Sequence, residues 1–208
     1  TITTIHFCLT GGINLTKSSF FAMISRMKYI GRWGLMRNIR TENLSEHTLQ
    51  VAMIAHMMGV INNEMLGGDA DEDSIATLSL YHDAAEIITG DMPTPVKYHD
   101  PSLKTAYKDV EKKAAGEMLS MLPEELRPRF SPLFLHEEKD KYLWKLVKAA
   151  DKISALLKCI EEENMGNREF TQAKNAQLKS IEEMNVKEAD LFLELFLDKF
   201  SLSLDELR

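Results

Sequence analysis

The segment His82-Asp83-Ala84-Ala85-Glu86 brings one imidazole and two carboxylates close together in the chain. On a regular α-helix the step from His82 to Glu86 is about 400° of rotation, so both side chains would point the same way, with Asp83 about 100° round. Neutral imidazole and carboxylate together suit a borderline or hard divalent cation. An ionisable cluster within the apolar residues 75–88 is costly to bury without a partner. The segment therefore indicates a metal or catalytic site, and an ordinary polar helix face is the alternative.

A metal site needs about four to six ligands from different parts of the fold, because adjacent residues cannot close a coordination sphere. His47 and Asp151 are the further candidates, and an ion pair with Lys148 or Lys152 is the alternative for Asp151. His56 follows His47 after about 900° of helical rotation, so the two face opposite ways and cannot share one metal. No role is assigned to the remaining histidines, His6, His99 and His136.

The composition bounds the class of protein. The chain has 208 residues, 44% of them hydrophobic, and a formal net charge of −7. This suits one buried core and argues against a broad surface for polymeric nucleic acid. No apolar run approaches the roughly 20 residues of a membrane span. Cys8 and Cys159 form neither a zinc-type spacing nor a disulfide framework, which favours a cytoplasmic location.

Charge is unevenly distributed along the chain. Residues 17–41 carry six basic side chains and no acid, whereas residues 42–96 carry ten acids and no Lys or Arg. A basic segment beside an acidic one suits a site that holds an anion and a divalent cation together. Chance clustering on solvated faces is the alternative.

Helical periodicity runs through the chain and predicts a compact all-α fold. Residues 1–18 show no helical period and are expected to be a leader or a disordered arm, which leaves residues 19–208 as a single helical domain. Ser45 and Asp73-Ser74 are the predicted N-caps of two helices, and Gly90 is a predicted end. Residues 91–95 are a predicted ordered loop, because Pro93 and Pro95 exclude a helix interior. The predicted helices are 20–30, 45 to 59 or 62, 75–89, 103–121, 124–135, 142–165, 170–185 and 186–200.

The sequence also predicts how two groups of apolar residues pack. Met53, Met57 and Met58 fall mostly on the apolar face of their predicted helix and are expected to fill the core. Residues 191–197 contain more apolar side chains than one face needs, and the surplus is expected to pack between subunits.

His47, the His82-Asp83 pair and Asp151 reproduce the H…HD…D pattern of the HD-domain metal-dependent phosphohydrolases. Three flanking strings, residues 32–38, 40–47 and 81–98, resemble the bacterial HD-domain 5′-deoxynucleotidase family. The similarity extends from about residue 19 to the C-terminus. An HD dipeptide alone is a weak signal, but four ligands in order with these strings are a strong one. The resemblance implies a multi-helix HD-domain bundle, a metal site between its helices, and a homodimer.

The resemblance also assigns residues, position by position. It implies metal ligands His47, His82, Asp83 and Asp151. It implies the catalytic residues Glu86, Asp83 and Arg32. It implies a substrate-binding set of Arg32, Trp33, His47, Asp83, Asp91, Met92, Pro93, Thr94 and Asp151.

Within that set, the resemblance implies particular roles. Glu86 is the acid next to the metal, Arg32 orients the substrate phosphate, and Trp33 lies against the nucleoside. Asp91 senses the 3′-hydroxyl of the sugar and disfavours ribose, and residues 92–94 continue that wall. The implied reaction is hydrolysis of a deoxyribonucleoside 5′-monophosphate to deoxynucleoside and phosphate. No covalent phosphoenzyme is expected, because no nucleophile motif is present.

The chemistry of the donors agrees with these roles. Two imidazoles and two carboxylates leave positions open for water and a phosphate oxygen, which is typical of a catalytic metal site. The donors admit cobalt, manganese, zinc, copper or iron and do not select among them. The guanidinium of Arg32 offers a bidentate fork to phosphate, which a lysine lacks.

Two alternatives stay open at this point. The same ligands serve enzymes that cleave triphosphates, cyclic nucleotides or guanosine polyphosphates, but Lys97 and Arg37 are the only obvious spare cations, which favours a monophosphate. From a different class, the chain would be a nucleotide-sensing module with a structural metal. The presence of Glu86, Arg32 and Asp91 argues against that module, since structural metal binding needs none of them.

Overall fold

A computed structural model describes residues 17–97, 99–137 and 140–208. Residues 1–16 of the predicted leader and Tyr98 of the third string lie outside the described residues. Within them the chain forms helices and no β-sheet, which confirms the predicted all-α class. The α-helices are α1 Phe20–Ile24, α2 Leu44–Leu66, α3 Glu72–Tyr81, α4 Glu86–Thr89, α5 Thr94–Lys97, α6 Pro101–Ser120, α7 Arg127–Phe134, α8 Lys141–Asn164, α9 Thr171–Met184 and α10 Lys187–Phe196. Short 3-10 segments cover Ser25–Tyr29, Arg168–Phe170 and Leu197–Ser201.

Helix α2 begins at a capping box. The Asn43 side chain accepts hydrogen bonds from the backbone N–H groups of Ser45 and Glu46, and the Glu46 carboxylate accepts one from the Asn43 N–H. This arrangement satisfies several of the orphan donors of the first turn. Ser45 is therefore inside the helix, and its predicted role as N-cap is wrong. The helix ends at Gly67, whose positive φ of 69° suits the left-handed cap of a helix.

Helix α3 packs unusually close to α2 at Gly59. A Cβ added at Gly59 would lie 2.7 Å from the Glu72 Cβ, so the absence of a side chain lets the start of α3 approach the α2 backbone. Gly59 was expected near the end of its helix, but it lies in the interior. The close approach places α3 alongside α2, and the HD pair directly follows the C-terminal end of α3.

The predicted single helix over residues 75–89 is interrupted after Tyr81. Ser79 would offer its carbonyl to the Asp83 N–H in a regular α-helix. Here the His82 ring takes that carbonyl instead, with Nδ1 2.7 Å from the Ser79 oxygen. Turns then carry the chain to Glu86, the first residue of α4. His82 and Glu86 are thus on separate elements, and their expected placement on one helical face is wrong.

The core surrounds the two long helices α2 and α8, against which α3, α9 and α10 pack. Burial of apolar side chains is the main favourable contribution to folding. A smaller cluster joins Phe20 of α1 to Met118 and Leu119 of α6. Among the described residues, no helix has both the length and the apolar character that crossing a membrane requires.

The expectation for the methionines of α2 is wrong for two of the three. Met58 is fully buried, but Met53 is 63% exposed and Met57 37% exposed. In residues 191–197, Phe192 is buried and its apolar neighbours pack against the same core, while Leu195 stays 47% exposed. Leu49, Met53 and Met57 of α2 are also exposed, and the expected packing of residues 191–197 between subunits stays a prediction.

Candidate active site

The four predicted ligands converge from three elements of the fold. His47 lies in the first turn of α2, His82 and Asp83 follow α3, and Asp151 lies in the middle of α8. One donor atom from each residue lies within 4.8 Å of the other three. His47 Nε2 is 3.3 Å from Asp151 Oδ1, and His82 Nε2 is 3.1 Å from Asp83 Oδ2. The structure therefore brings together all four residues of the H…HD…D pattern.

The orientation of both imidazoles fits a divalent cation at the centre of this cluster. His82 Nδ1 lies 2.7 Å from the Ser79 carbonyl oxygen, and His47 Nδ1 lies 3.1 Å from Ser154 Oγ. The buried Nε2 atoms make no hydrogen bond within the described part of the chain. Two inward Nε2 atoms beside two carboxylates form a donor set that suits a catalytic metal.

The electrostatics keep both cluster carboxylates ionised. Burial opposes ionisation of Asp83, but the adjacent His82 outweighs it and lowers the pKa of Asp83. Burial likewise opposes the charge on Asp151, whereas Lys148 and His47 hold its pKa well below the usual range. Lys148 Nζ donates to Asp151 Oδ2 at 2.9 Å, so the ion pair considered as an alternative exists alongside the cluster.

Arg32 points into the acidic side of the cluster. Its Nη1 lies 3.6 Å from Asp83 Oδ2 and 3.9 Å from Asp91 Oδ1, and its Nε lies 3.3 Å from Glu42 Oε2. Burial opposes its charge, but the surrounding carboxylates raise the pKa of Arg32 further. An isolated antiparallel bridge between Gly31 and Asn43 holds this part of the chain. The guanidinium is thus a buried cation beside the proposed metal centre.

Trp33 follows Arg32 with an unusual backbone. Its φ of 60° is rare for a bulky residue and indicates local strain. Its indole Nε1 donates to Glu42 Oε2 at 2.9 Å, and its ring lies 5.3 Å from that of Phe170. Glu42 therefore holds both Arg32 and Trp33. Glu42 is not among the predicted site residues, although its position within the second flanking string is a signal.

Glu86 is a buried carboxyl group beside other acids. It is only 8% exposed, and its Oε2 has no hydrogen-bond partner among the residues that the structure describes. Burial, with Asp83 and Asp91, raises the pKa of Glu86 to about 10. The group therefore holds a proton at neutral pH in the metal-free protein, which is the state that a general acid requires.

The segment after α4 is fastened to α6. Gly90 ends α4 with a φ of 76°, as expected, and its carbonyl accepts a hydrogen bond from the Tyr107 hydroxyl at 3.0 Å. Lys97 pairs with Glu111 on α6 at 2.8 Å. Asp91, Met92 and Pro93 are half-buried in an ordered segment, as predicted. Thr94 is exposed and is the first residue of α5. The predicted loop over residues 91–95 therefore ends two residues earlier, at Pro93.

The remaining histidines do not join the cluster where the structure describes them. His56 is half-buried on α2, His99 is exposed, and the ring of His136 stacks on Trp144 at 3.8 Å. His6 lies outside the described residues.

A helical bundle that gathers the H…HD…D residues around one point defines the HD-domain class. An HD-domain phosphohydrolase from Listeria innocua shares this fold, with a TM-score of 0.77 at 23% identity over 88% of each chain. A cyanophage S-2L HD phosphohydrolase, solved with dA and one catalytic Zn²⁺ ion, matches with a TM-score of 0.62 at 20% identity. That match covers 90% of this chain and 98% of the cyanophage protein.

The family follows from closer relatives. The family model for 5′-deoxynucleotidase YfbR-like proteins matches residues 19–200. The 5′-deoxynucleotidase YfbR of Escherichia coli K12 is 48% identical, covering 93% of this chain and 97% of its own. A 5′-deoxynucleotidase of Erwinia tasmaniensis is 47% identical over 91% and 96% of the two chains. The chain belongs to the YfbR-like 5′-deoxynucleotidase family. It is an enzyme, a phosphoric monoester hydrolase, and not a binding module alone.

Proposed function

We propose that the protein hydrolyses deoxyribonucleoside 5′-monophosphates to deoxynucleoside and inorganic phosphate, and discriminates against ribonucleotides. One divalent cation per subunit is held by His47, His82, Asp83 and Asp151. The observation that carries the proposal is the convergence of these four donors within 4.8 Å of one another, beside the buried Arg32. The names of the relatives supply the substrate class, and the cyanophage protein shows that an HD phosphohydrolase binds deoxyadenosine with zinc.

Arg32 and Asp83 position the reacting groups. When bound, the cation supplies Lewis acidity, which polarises the phosphoryl group and activates water. Arg32 receives the phosphate oxygens through its guanidinium fork, which Glu42 orients from behind through Nε. Asp83 orients the attacking water in line with the leaving 5′-oxygen. This arrangement needs no covalent intermediate on the protein.

Glu86 donates a proton to the leaving group. Departure of the nucleoside leaves charge on its 5′-oxygen, and a protonated carboxyl group nearby can neutralise it, directly or through one ordered water. Burial beside two acids favours the protonated form of Glu86. A general acid of this kind contributes typically 100-fold to 10,000-fold to a rate.

Asp91 and the residues after it form the wall that meets the sugar. Trp33 follows Arg32 in the chain and provides a surface for the nucleoside, and its backbone N–H donates a hydrogen bond to the Asp91 carboxylate. Tyr107 and the Lys97–Glu111 pair hold the segment after Gly90 in place, so Asp91 has a fixed position. At a fixed wall an additional 2′-hydroxyl would clash or lose its hydrogen-bond partner, whereas an apolar pocket rejects an added hydroxyl only weakly. Met92, Pro93 and Thr94 extend this wall.

The spare cations favour a monophosphate over a triphosphate. Lys97 is paired with Glu111, and Arg37 is paired with Glu169 at 2.6 Å on the surface. Both are therefore already engaged in ion pairs with carboxylates. Arg32 alone faces the cluster among the cations considered for phosphate binding.

The metal, the assembly and the location complete the proposal. The cation is cobalt, manganese, zinc, copper or iron, because two nitrogen and two oxygen donors accept each of them. We propose a homodimer in which the exposed stripe of Leu49, Met53 and Met57 on α2 is covered by the second copy. A cytoplasmic location is consistent with the buried, unpaired Cys159.

A substrate panel tests the proposed activity. Phosphate release is measured from deoxy- and ribonucleoside 5′-monophosphates and from deoxynucleoside triphosphates, after chelation and after re-addition of each metal. We expect release only with metal, and higher kcat/KM for each deoxynucleotide than for its ribonucleotide. Equal activity on both sugars would contradict the role of Asp91. Tripolyphosphate as the main product would contradict the monophosphate assignment.

A further inference from the structure

We infer that Ser154 and Gln50 are positioning residues that fix the tautomer and the orientation of His47 for cation binding. The inference rests on the proposed ligand set and adds to it two side chains that never touch the cation. Neither residue was singled out by the sequence. Both belong to the helices that already supply His47 and Asp151.

The two helices interlock through matching residue pairs. Helix α2 presents His47 and Gln50, and α8 presents Asp151 and Ser154, in each case three residues apart and therefore on one helical face. Ser154 inserts between the two α2 side chains. Its Oγ lies 3.1 Å from His47 Nδ1 and 2.7 Å from Gln50 Oε1. His47 and Ser154 are both fully buried, so water does not compete for these bonds.

The single hydroxyl hydrogen of Ser154 determines which groups donate and which accept in its contacts with His47 and Gln50. A serine hydroxyl has one hydrogen and two lone pairs. Ser154 donates that hydrogen to Gln50 Oε1, so toward His47 it can only accept. The hydrogen of the neutral imidazole therefore sits on Nδ1, and the lone pair sits on Nε2. Nε2 faces Asp83 and Asp151, which is the side from which a cation must be bound.

The other imidazole is held in a different way and provides a comparison. His82 Nδ1 is anchored by the backbone carbonyl of Ser79, which no side-chain substitution removes. The Ser79 hydroxyl itself donates to the Ile75 carbonyl at 2.9 Å and does not serve His82. Ser79 is also fully buried and three residues from a proposed ligand. Ser79→Ala is therefore a matched control for Ser154→Ala.

Gln50 permits a second pair of variants. Gln50→Met removes the acceptor for the Ser154 hydrogen, whereas Gln50→Glu keeps an acceptor that cannot act as a donor. The Gln50 side chain borders a cavity of about 530 Å³ that charged residues such as Glu46 and Lys158 also line, so the added charge of Gln50→Glu lies at a polar cavity rather than in the apolar core. In Gln50→Glu the hydroxyl hydrogen of Ser154 therefore still points to the side chain at position 50 and away from His47.

The test measures the affinity of each metal-free variant for zinc by competition with a chromogenic chelator, alongside the thermal unfolding midpoint without metal. Outer-shell partners of metal-bound histidines are typically worth 10-fold to 100-fold in affinity. We expect Ser154→Ala to weaken zinc binding by roughly 10-fold or more. Gln50→Met should weaken it to a smaller extent, and Gln50→Glu should bind at least as tightly as wild type. Ser79→Ala should lower the unfolding midpoint but leave zinc affinity unchanged.

The outcomes separate this inference from the proposal beneath it. Wild-type affinity in Ser154→Ala, or an equal loss in Ser79→Ala, would overturn the positioning role. His47→Ala is measured in parallel and should lose most of the affinity. If His47→Ala binds zinc as wild type does, the proposed ligand set itself fails. If His47→Ala loses zinc while Ser154→Ala keeps it, only the inference about Ser154 and Gln50 fails.

Discussion

Glu86 illustrates how the surroundings of a single residue determine its chemistry. The carboxyl group is buried and lies near two acids, so its pKa of about 10 is far above its ordinary value of 4.5. Near neutral pH the folded metal-free protein must retain a proton that the unfolded chain has released. Folding is therefore penalised increasingly as the pH rises from 4.5 towards 10. A residue that costs stability in this way is typical of a functional site.

Replacing Glu86 by Gln separates its effect on stability from its proposed effect on turnover. Gln has no proton to lose, so metal-free Glu86→Gln should unfold at a higher temperature than wild type at pH 8, with a smaller difference at pH 5. Turnover should fall at least about 100-fold, because the proposed proton donor is gone. Metal content should stay near that of wild type. Loss of the metal together with activity would mean that Glu86 has a structural role, and Glu64→Ala on the surface of α2 provides the control.

Arg32 should not tolerate even a lysine. Arg32→Lys keeps the charge but loses the planar fork and the link to Glu42, and one charged hydrogen bond is worth roughly 10-fold in rate or affinity. We expect kcat/KM for a deoxynucleoside monophosphate to fall by at least about that factor. Arg37→Lys is the matched control, since Arg37 is on the surface. Unchanged kinetics in Arg32→Lys would remove Arg32 from the phosphate site.

The sequence was informative for residues that belong to an ordered pattern and silent for those that only support them. His47, His82, Asp83 and Asp151 were predicted because their types and order are distinctive. Glu42, Gln50 and Ser154 were missed because a Glu, Gln or Ser on a helix has no diagnostic spacing. Their roles depend on which side chain of another element lies opposite, and that requires the fold.

At the scale of elements, the segment before α2 is held to α8 by a buried ion pair. Glu162 accepts hydrogen bonds from Lys158, Asn167 and the backbone N–H groups of Ile39 and Arg40. Burial opposes ionisation of Glu162, but these donors outweigh it and lower its pKa to about 2. The same chain segment continues into Glu42, which orients Arg32. The ion pair therefore supports the proposed phosphate site at a distance.

Loss of this carboxylate should destabilise the protein in a pH-dependent manner. The lowered pKa means that Glu162 contributes its full stabilisation above about pH 4.5, which is lost as the pH falls towards 2. Glu162→Gln should cost on the order of 3 kcal/mol at pH 7, because Lys158 stays buried without its ion-pair partner. The free energies of unfolding of the variant and the wild type, measured by urea denaturation, should become more similar as the pH is lowered. Glu183→Gln breaks the exposed Lys179–Glu183 pair of the same spacing and should have little effect.

Element boundaries show where sequence reasoning reaches its limit. Periodicity predicted the long helices well but continued through residues 82–85, where the His82 ring takes a backbone carbonyl and ends α3. The N-cap position depends on a similar local competition for backbone hydrogen bonds. Here Asn43 caps α2 together with Glu46, and Ser45 does not. The exposure of Met53 was equally unpredictable, because an apolar residue does not reveal whether its partner is the same chain or another copy.

For the whole molecule, the proposed cation should add to the stability of the fold. A ligand that binds only the folded state stabilises it by about 2.7 kcal/mol at 100 times its Kd. Zinc, manganese and cobalt should therefore each raise the unfolding midpoint of metal-free wild type. His47→Ala should lose most of that rise. An equal rise in the variant would show that the cations bind elsewhere.

Self-association is the second expectation for the whole molecule. A charge placed in the exposed stripe of α2 should disfavour burial against a second copy. Met53→Asp should therefore shift the mass measured by light scattering from dimer to monomer, with the helical content unchanged. Val110→Asp, on the exposed part of α6, is the control and should remain dimeric. A dimeric Met53→Asp would place the contact on another surface.

The interlocking of α2 and α8 has a consequence for how the protein is assembled from its unfolded chain. His47 and Ser154 stand 107 positions apart, and the segment between them contains most of the core. The proposed cation can be bound only after these distant stretches have met. Uptake of a coloured metal during refolding would thus report the final docking of α8, and neither half of a nicked chain should sequester the ion alone.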